Sequence, residues 1–590
     1  MPTSPRTPAR PGGRPAPQSS TGRFSSPIVR RALPVAAVAL AAFGLGVVCG
    51  AAHEDPAQRA VAKFAKAWNR GDFAAMYAMT DEKTQRAMDV EAFTEAYRKA
   101  QATATSRRLV AGNPKSAGGG WAIPVFVQTR SFGPVRSTVV VKTKGEDNPK
   151  IAWHPNLTFP GVAPGQELSR QTELPPRANL LARDNSPLTK DGQRGGTLGA
   201  VSAEIVGQLG PIPPDQKAQY EQRGYPADAQ IGTSGLERAL EDQLVGVPGG
   251  RLLAGGKVLG SAKPSPSPPV RTTIDPKIEQ SAITALGGTG FQGGVAVIKP
   301  RTGELLALAG LAYSTLQPPG STFKIVTVTG GLTAGVVKPS DSFPVESSHL
   351  LSGVPLNNAN GEQCGGTLTQ SFAESCNSVF GPIGARLGPQ KLYETALRYG
   401  FNRDPGIPGA QTSTIPAPAD LGDDLNVGSA AIGQGEVQAT PLQMAWVSSA
   451  VANRGRLPRL TLDFNAGRRP APTTPVSSEK VALQVQSLMK AVVQYGTGTS
   501  AQVPGVSVAG KTGTAELRSS TPCDAENADP NDCTSSSEDA AANTDAWFTA
   551  YAPTSRPEVA VGVMLISAGA GGDTAAPVAQ QVLSTALGKG

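Results

Sequence analysis

Across residues 55–77 the apolar positions recur every three or four residues: Val61, Phe64 and Trp68, then Phe73, Met76 and Tyr77, with the polar break NRGD between the two groups. That period predicts an amphipathic helical pair. Further on the period falls to two, in WAIPVFVQTR and RSTVVVKTK, which predicts strands of a half-exposed antiparallel sheet. Helices first and a curved sheet after predict a small α+β domain over residues 53–168, with its aromatic residues as core.

A second segment, residues 169–260, is less regular. Leu236, Leu240 and Leu244 predict one helix, opened by Ser234 as N-cap, and the scattered charges around it are expected on a solvated face. SAKPSPSPPV, residues 261–270, predicts a stiff, exposed linker. From 271 to 590 the pattern is that of one large unit. FQGGVAVIKPRTGELLALAG predicts a two-strand hairpin turning at residues 300–303, helical stretches follow, and strands return at VSVAGKTGTAEL, DAWFTAYAP and EVAVGVMLIS. Strands at both ends with helices between them predict one sheet flanked by helices, so the whole chain is expected to be multidomain α+β.

Residues 32–52, ALPVAAVALAAFGLGVVCGAA, carry no charge over 21 positions, close to the ~20 that cross a bilayer as a helix. Arg6, Arg10, Arg14, Arg23, Arg30 and Arg31 precede it, and residues 1–31 contain no acidic residue. This predicts a disordered cytoplasmic tail, a single-pass plasma-membrane anchor and a body outside the membrane. A cleaved signal peptide, or a lipoprotein attached at Cys49, would place the body on the same side. The tail also holds six of the eight net positive charges. A nucleic-acid footprint therefore has little support.

Five cysteines fit an oxidising compartment. Apart from Cys49 they fall as Cys364/Cys376 and Cys523/Cys533, which allows two short disulfides among three possible pairings. Zinc is disfavoured because no C-x-x-C occurs and His53, His154 and His349 are scattered. No metal and no cofactor are expected.

The candidate chemistry starts at QPPGSTFKIVTV, where Ser321 opens an apolar helical run and Lys324 follows three positions on. Residues i and i+3 share a helix face. A serine needs a base, and a buried lysine can have its pKa lowered enough to serve. Ser375-Cys376-Asn377 follows 54 residues after Ser321, and Lys511-Thr512-Gly513 a further 136 after Ser375. In that order Ser375 can relay a proton to a leaving amine, Asn377 can bind a substrate amide, and Lys511 supplies positive charge. On a strand, Thr512 and Thr514 point the same way and can hold a substrate carboxylate, while Gly513 lets the substrate backbone approach. An oxyanion hole is expected from the backbone N–H groups of Ser321 and Thr514.

PPGSTFK, SCN and KTGTAE together resemble the penicillin-binding proteins, whose S-x-x-K, S-x-N and K-T-G set is a signature. TTIDPKIEQSA, VAVIKPRTGELLALAG, AIGQGEVQATPLQMA and DAWFTAYAP look like further landmarks of the transpeptidase domain, here residues 271–590. GTSGLERALEDQLVGVPGG resembles the dimerisation domain of class B members, and residues 55–165 resemble the NTF2-like domain of a subset of them. The resemblance implies a peptidoglycan D,D-transpeptidase in which Ser321 attacks the penultimate D-Ala carbonyl of a stem pentapeptide, D-Ala leaves, and a neighbouring stem's amine resolves the acyl-enzyme. It implies acylation of the same serine by β-lactams, and partners in the membrane such as a glycosyltransferase. RANLLARDN, residues 177–185, departs from the family's usual Arg-Gly and Asp-Arg-Asn-Gly, which puts the usual packing of that segment in question.

Four other readings compete. Residues 505–512 also spell the phosphate loop G-x-x-x-x-G-K-[ST], but Val506 and Val508 alternate as in a strand and Gly513-Thr514 is a poor helix opening. A β-lactamase would need the deacylation pattern E-x-x-L-N, and at Leu425-Asn426 the glutamate position is Gly422. A non-catalytic β-lactam or muropeptide sensor or scaffold would be expected to have lost Ser321, Lys324 or Lys511. A D,D-carboxypeptidase differs only in using water as acceptor.

Overall fold

The computed structural model describes residues 55–190, 198–467, 469–516 and 543–589. The expected tail (1–31), the expected membrane span (32–52), Cys49, Cys523 and Cys533 lie outside the described residues. Among the described residues no helix is long and apolar enough to cross a membrane.

The first unit opens with four helices, Pro56–Arg70, Phe73–Ala78, Glu82–Ala87 and Val90–Thr103. Each begins after an aspartate, Asp55, Asp72, Asp81 or Asp89, whose carboxylate accepts a backbone N–H of the first turn. Such a cap is worth about 1 kcal/mol. Gly71, at φ +68°, makes the break expected at NRGD. Against the helices lies an antiparallel sheet ordered Ser106–Ala111, Gly120–Thr129, Pro134–Lys144, Lys150–Ala152. Phe64, Trp68, Phe93 and Tyr97 fill the space between, so the aromatics are core, as expected.

The middle segment divides its apolar residues between its neighbours. Leu252 and Ala254 join the first core. Leu180, Leu188, Val201, Ile205, Leu236, Leu240 and Leu244 join the core of the C-terminal unit. Only a small cluster around Tyr220, Tyr225 and Ile231 stands by itself. Elements of two to six residues cannot bury enough surface alone.

Three local expectations for this segment are corrected. Leu236 to Leu244 is not one helix but two short ones, Gly235–Ala239 and Glu241–Leu244, broken at Leu240 (φ −116°, ψ 17°). Ser234 precedes the first of them, yet its hydroxyl accepts from Gln208 N rather than from the helix. The charges there do not all face solvent: Glu237 and Glu241 are buried and share Arg177, at 2.6 and 2.5 Å. Glu241 is completed by Gly232 N and the Tyr225 hydroxyl. That triad packs the departing RANLLARDN segment, and Arg183 extends the anchorage to Glu304 of the C-terminal unit. The Pro/Ser stretch is mostly exposed, but it is tied at Ser265, which bridges to Val247, and at Val270, which pairs parallel with Leu180.

The C-terminal unit has the single sheet expected, five antiparallel strands ordered Glu304–Gly310, Gly293–Lys299, Val559–Leu565, Thr544–Ala552, Ala509–Glu516. Both faces are covered. Val295 and Val297 face one core, with Ile278, Ala282, Val578 and Val582 of the helices Pro276–Gly287 and Ala575–Ala586. The alternate residues Ala296 and Ile298 face the other, where all twelve residues of the helix Pro441–Ala452 are buried. Strand Ala509–Glu516 lies at the sheet's edge, and its free side receives the turn that carries Ser321.

Candidate active site

Ser321 does not open an α-helix. It lies on a single 3-10 turn, Gly320–Phe323, which passes directly into the α-helix Lys324–Ala334. In 3-10 geometry residues i and i+3 eclipse, which puts Ser321 and Lys324 on one side of the turn. The turn is pressed onto the edge strand. Gly320 is at φ +51°, and a Cβ there would stand 2.6 Å from the Thr514 carbonyl oxygen. A Cβ on Gly513 would stand 2.8 Å from the Pro319 carbonyl oxygen. From behind, Gly320 N donates to Gly433 O at 2.9 Å.

Lys324 is completely buried. Its Nζ donates to Ser375 O at 2.6 Å, Asn377 Oδ1 at 2.7 Å and Ser375 Oγ at 3.3 Å. Lys511, equally buried, donates to Ser375 Oγ at 2.8 Å and Thr512 O at 3.1 Å. Among the described residues neither amine has a carboxylate within ion-pair distance. Phe380 lies 5.7 Å from the Lys324 amine and Phe372 5.6 Å from that of Lys511, so the surroundings are aromatic rather than acidic. Burial, and then the positive Lys511, holds the Lys324 pKa well below the usual 10.5. Burial lowers that of Lys511 to about 7.

Ser375 occupies the corner between the helices Leu368–Ala373 and Asn377–Leu387 at φ +67°. A non-glycine residue in that region carries strain, which persists only where the surroundings impose it. Cys376, fully buried, is bonded to Cys364 with a Cα–Cα distance of 5.8 Å, one of the two short disulfides considered. Glu374 lies near both sulfurs, but their bond to each other removes them as metal ligands. Asn377 is held at both ends: Oδ1 takes Lys324, and Nδ2 donates to Asn357 O at 2.9 Å. One amide hydrogen remains for a ligand.

Lys511, Thr512, Gly513 and Thr514 lie in the strand Ala509–Glu516. The strand starts later than the Val506/Val508 alternation suggests. Gly505 is at φ +72° and Val506 N bonds Val503 O, so residues 503–506 form a tight turn. The lysine of the apparent phosphate loop is thus in mid-strand, and the strand, not a helix, continues after it to Glu516. Thr512 is buried and Thr514 half-buried. One neighbour was not visible in the sequence: Thr497, whose Oγ1 is 2.6 Å from that of Thr512.

The family description "Penicillin binding protein transpeptidase domain" matches residues 293–584, "Penicillin-binding Protein dimerisation domain" residues 158–263, and "NTF2-like N-terminal transpeptidase domain" residues 56–166. The chain is 30% identical over 379 residues to the peptidoglycan D,D-transpeptidase PbpA of Mycolicibacterium smegmatis, covering 54% of this chain and 73% of that one. The chain belongs to the class B penicillin-binding proteins. Solved structures of the family share its fold. The D,D-transpeptidase domain of a peptidoglycan glycosyltransferase from Eggerthella lenta superposes with a TM-score of 0.53 at 27% identity, covering 70% of this chain and 98% of that one. Pseudomonas aeruginosa PBP2 gives 0.58 at 22% identity, covering 71% and 96%.

Proposed function

We propose that this chain is a peptidoglycan D,D-transpeptidase that works through an acyl-serine at Ser321. The observation that carries the reading is the pair of buried, carboxylate-free amines meeting on the Ser375 hydroxyl beside the Ser321 turn. A lysine whose pKa burial has lowered can be neutral and accept a proton. Neutral Lys324 takes the Ser321 hydroxyl proton as Oγ bonds the penultimate D-Ala carbonyl carbon. The oxyanion is held by the backbone N–H groups of Ser321 and Thr514. When the C–N bond breaks, the departing D-Ala amine takes its proton from Ser375, which is resupplied from Lys324. Ser375 suits this relay because Oγ accepts from both lysines, leaving its own O–H free to donate. A neighbouring stem's amine then attacks the ester and Ser321 recovers its proton. Lys511, Thr512 and Thr514 hold the terminal carboxylate, Asn377 the stem amide, and Gly513 leaves room for the substrate backbone.

β-Lactams, which present a strained acyl group and a carboxylate in similar relation, acylate the same serine. Anchorage follows from residues 32–52 as a single membrane span, with residues 53–168, 169–260 and 271–590 outside, and it makes a membrane glycosyltransferase a fitting partner. The test is labelling of the full-length chain with a fluorescent penicillin, followed by peptide mapping. The adduct is expected on Ser321 and absent from Ser321→Ala; label elsewhere defeats the assignment. Supplying an amine acceptor beside water then separates transpeptidation from D,D-carboxypeptidation.

A further inference from the structure

Thr497 belongs to none of the three sequence groups, yet it touches two of the elements that carry them. Its backbone N–H donates to Ala373 O at 3.0 Å, two residues before Ser375. Its hydroxyl lies 2.6 Å from Thr512 Oγ1 and 3.3 Å from Ala373 O. On the remaining side Gly572 packs so closely that a Cβ there would be 2.3 Å from the Thr497 carbonyl oxygen. Thr497 is exposed, whereas Thr512 is buried.

The hydroxyl protons decide what this contact does. Lys511 Nζ lies 3.4 Å from Thr512 Oγ1 and, in the charged form that carboxylate capture calls for, can only donate. If Thr512 donates to Thr497, its single proton is spent inside the protein. If Thr497 donates to Thr512, Oγ1 of Thr512 accepts from both neighbours and its own proton is free to point into the cleft. The 2.6 Å contact is common to both arrangements, and in the first Thr497 passes its own proton on to Ala373 O; a bound carboxylate favours the second, because a hydroxyl chain ending on an anion is cooperatively strengthened.

We infer that Thr497 is a positioning residue: by donating its hydroxyl to Thr512 it turns the Thr512 O–H outward as a donor to the substrate carboxylate. This rests on the carboxylate-binding reading of Thr512 above. It assigns a role outside the Ser321, Ser375 and Lys511 groups, and it acts on ligands that carry a carboxylate.

The test compares acylation of the full-length chain by benzylpenicillin and by its uncharged methyl ester. Thr497→Val should slow the acid about tenfold while changing the ester by no more than about twofold, the scale of one hydrogen bond to a charged group. Thr497→Ser should restore the acid-to-ester ratio, and Thr497→Val should add little in a Thr512→Val background. Equal slowing of acid and ester, or an unchanged ratio, overturns the inference while leaving Ser321 labelling intact. Failure of the unmodified chain to acylate at Ser321 instead removes the parent reading, and this one with it.

Discussion

The amines of Lys324 and Lys511 end on the same oxygen, Ser375 Oγ, at 3.3 and 2.8 Å. Two like charges on one hydroxyl, in a site without a carboxylate partner, are mutually unfavourable. The arrangement therefore keeps at least one amine readily deprotonated, which is what a base for Ser321 requires.

The first prediction concerns pH. In the proposed mechanism acylation needs Lys324 neutral, so the second-order rate constant is expected to fall toward acid as that lysine protonates. The proposed carboxylate capture needs Lys511 charged, so the constant is expected to fall again as pH rises through the Lys511 pKa of about 7. The profile of the free enzyme is expected to be a bell. Stopped-flow acylation across pH 5–10 measures it, and a rate climbing steadily to the alkaline end would refute the assignment. Lys324→Met should lower the rate by about 10²–10⁴, the usual worth of a general base.

A second prediction concerns stability. The folded-state pKa of Lys511 is depressed from 10.5 to about 7. Between those values the unfolded chain binds the proton and the folded chain does not, so this group's contribution to stability rises with pH. Below about 7 its burial cost is paid in full. Lys511→Met should therefore stabilise the fold most below pH 7, with the advantage shrinking toward pH 10. Denaturant melts of both proteins at several pH values check this, and a pH-independent difference contradicts it.

Gly320→Ala probes the seating of the turn that carries Ser321. The position combines φ +51° with a Cβ 2.6 Å from a backbone oxygen, and backbone cannot yield as a flexible side chain can. Strain of about 1–3 kcal/mol should displace Ser321 and depress acylation far more than it depresses the melting temperature. A variant with native acylation kinetics would show that the turn is not held as described.

Arg177→Met leaves Glu237 and Glu241 buried without their shared cation. Breaking such a network from one side costs about 3–5 kcal/mol. Replacing Glu237 and Glu241 by glutamine in the same variant should recover much of it. Chemical denaturation of the three proteins gives the comparison, and no rescue would mean that the triad is not the source of the loss.

Much of the framework was legible in the chain. Period-two runs marked the strands of the N-terminal sheet because one face packs on the core while the other meets solvent. The three-to-four-residue apolar period marked the first N-terminal helical pair because one face of each helix packs into the core. Errors fell where local pattern and tertiary demand disagreed. Val506 and Val508 look like strand residues, but Gly505 turns the chain first. Leu236, Leu240 and Leu244 share a core without sharing a helix. The glutamates among them looked solvated because their cation, Arg177, is sixty residues away.

The sequence by itself determined the family, the order of its units and the residue types of the site, because S-x-x-K, S-x-N and K-T-G in that order are information carried within short segments. Only the tertiary structure decided how those segments meet. The 3-10 turn under Ser321 and the left-handed corner at Ser375 are held by neighbours distant in the chain, and the convergence of two lysines on one hydroxyl and the contact of Thr497 with Thr512 join residues far apart in it. Such contacts leave no periodic trace, since they depend on close packing between an edge strand and the turn and helices seated against it.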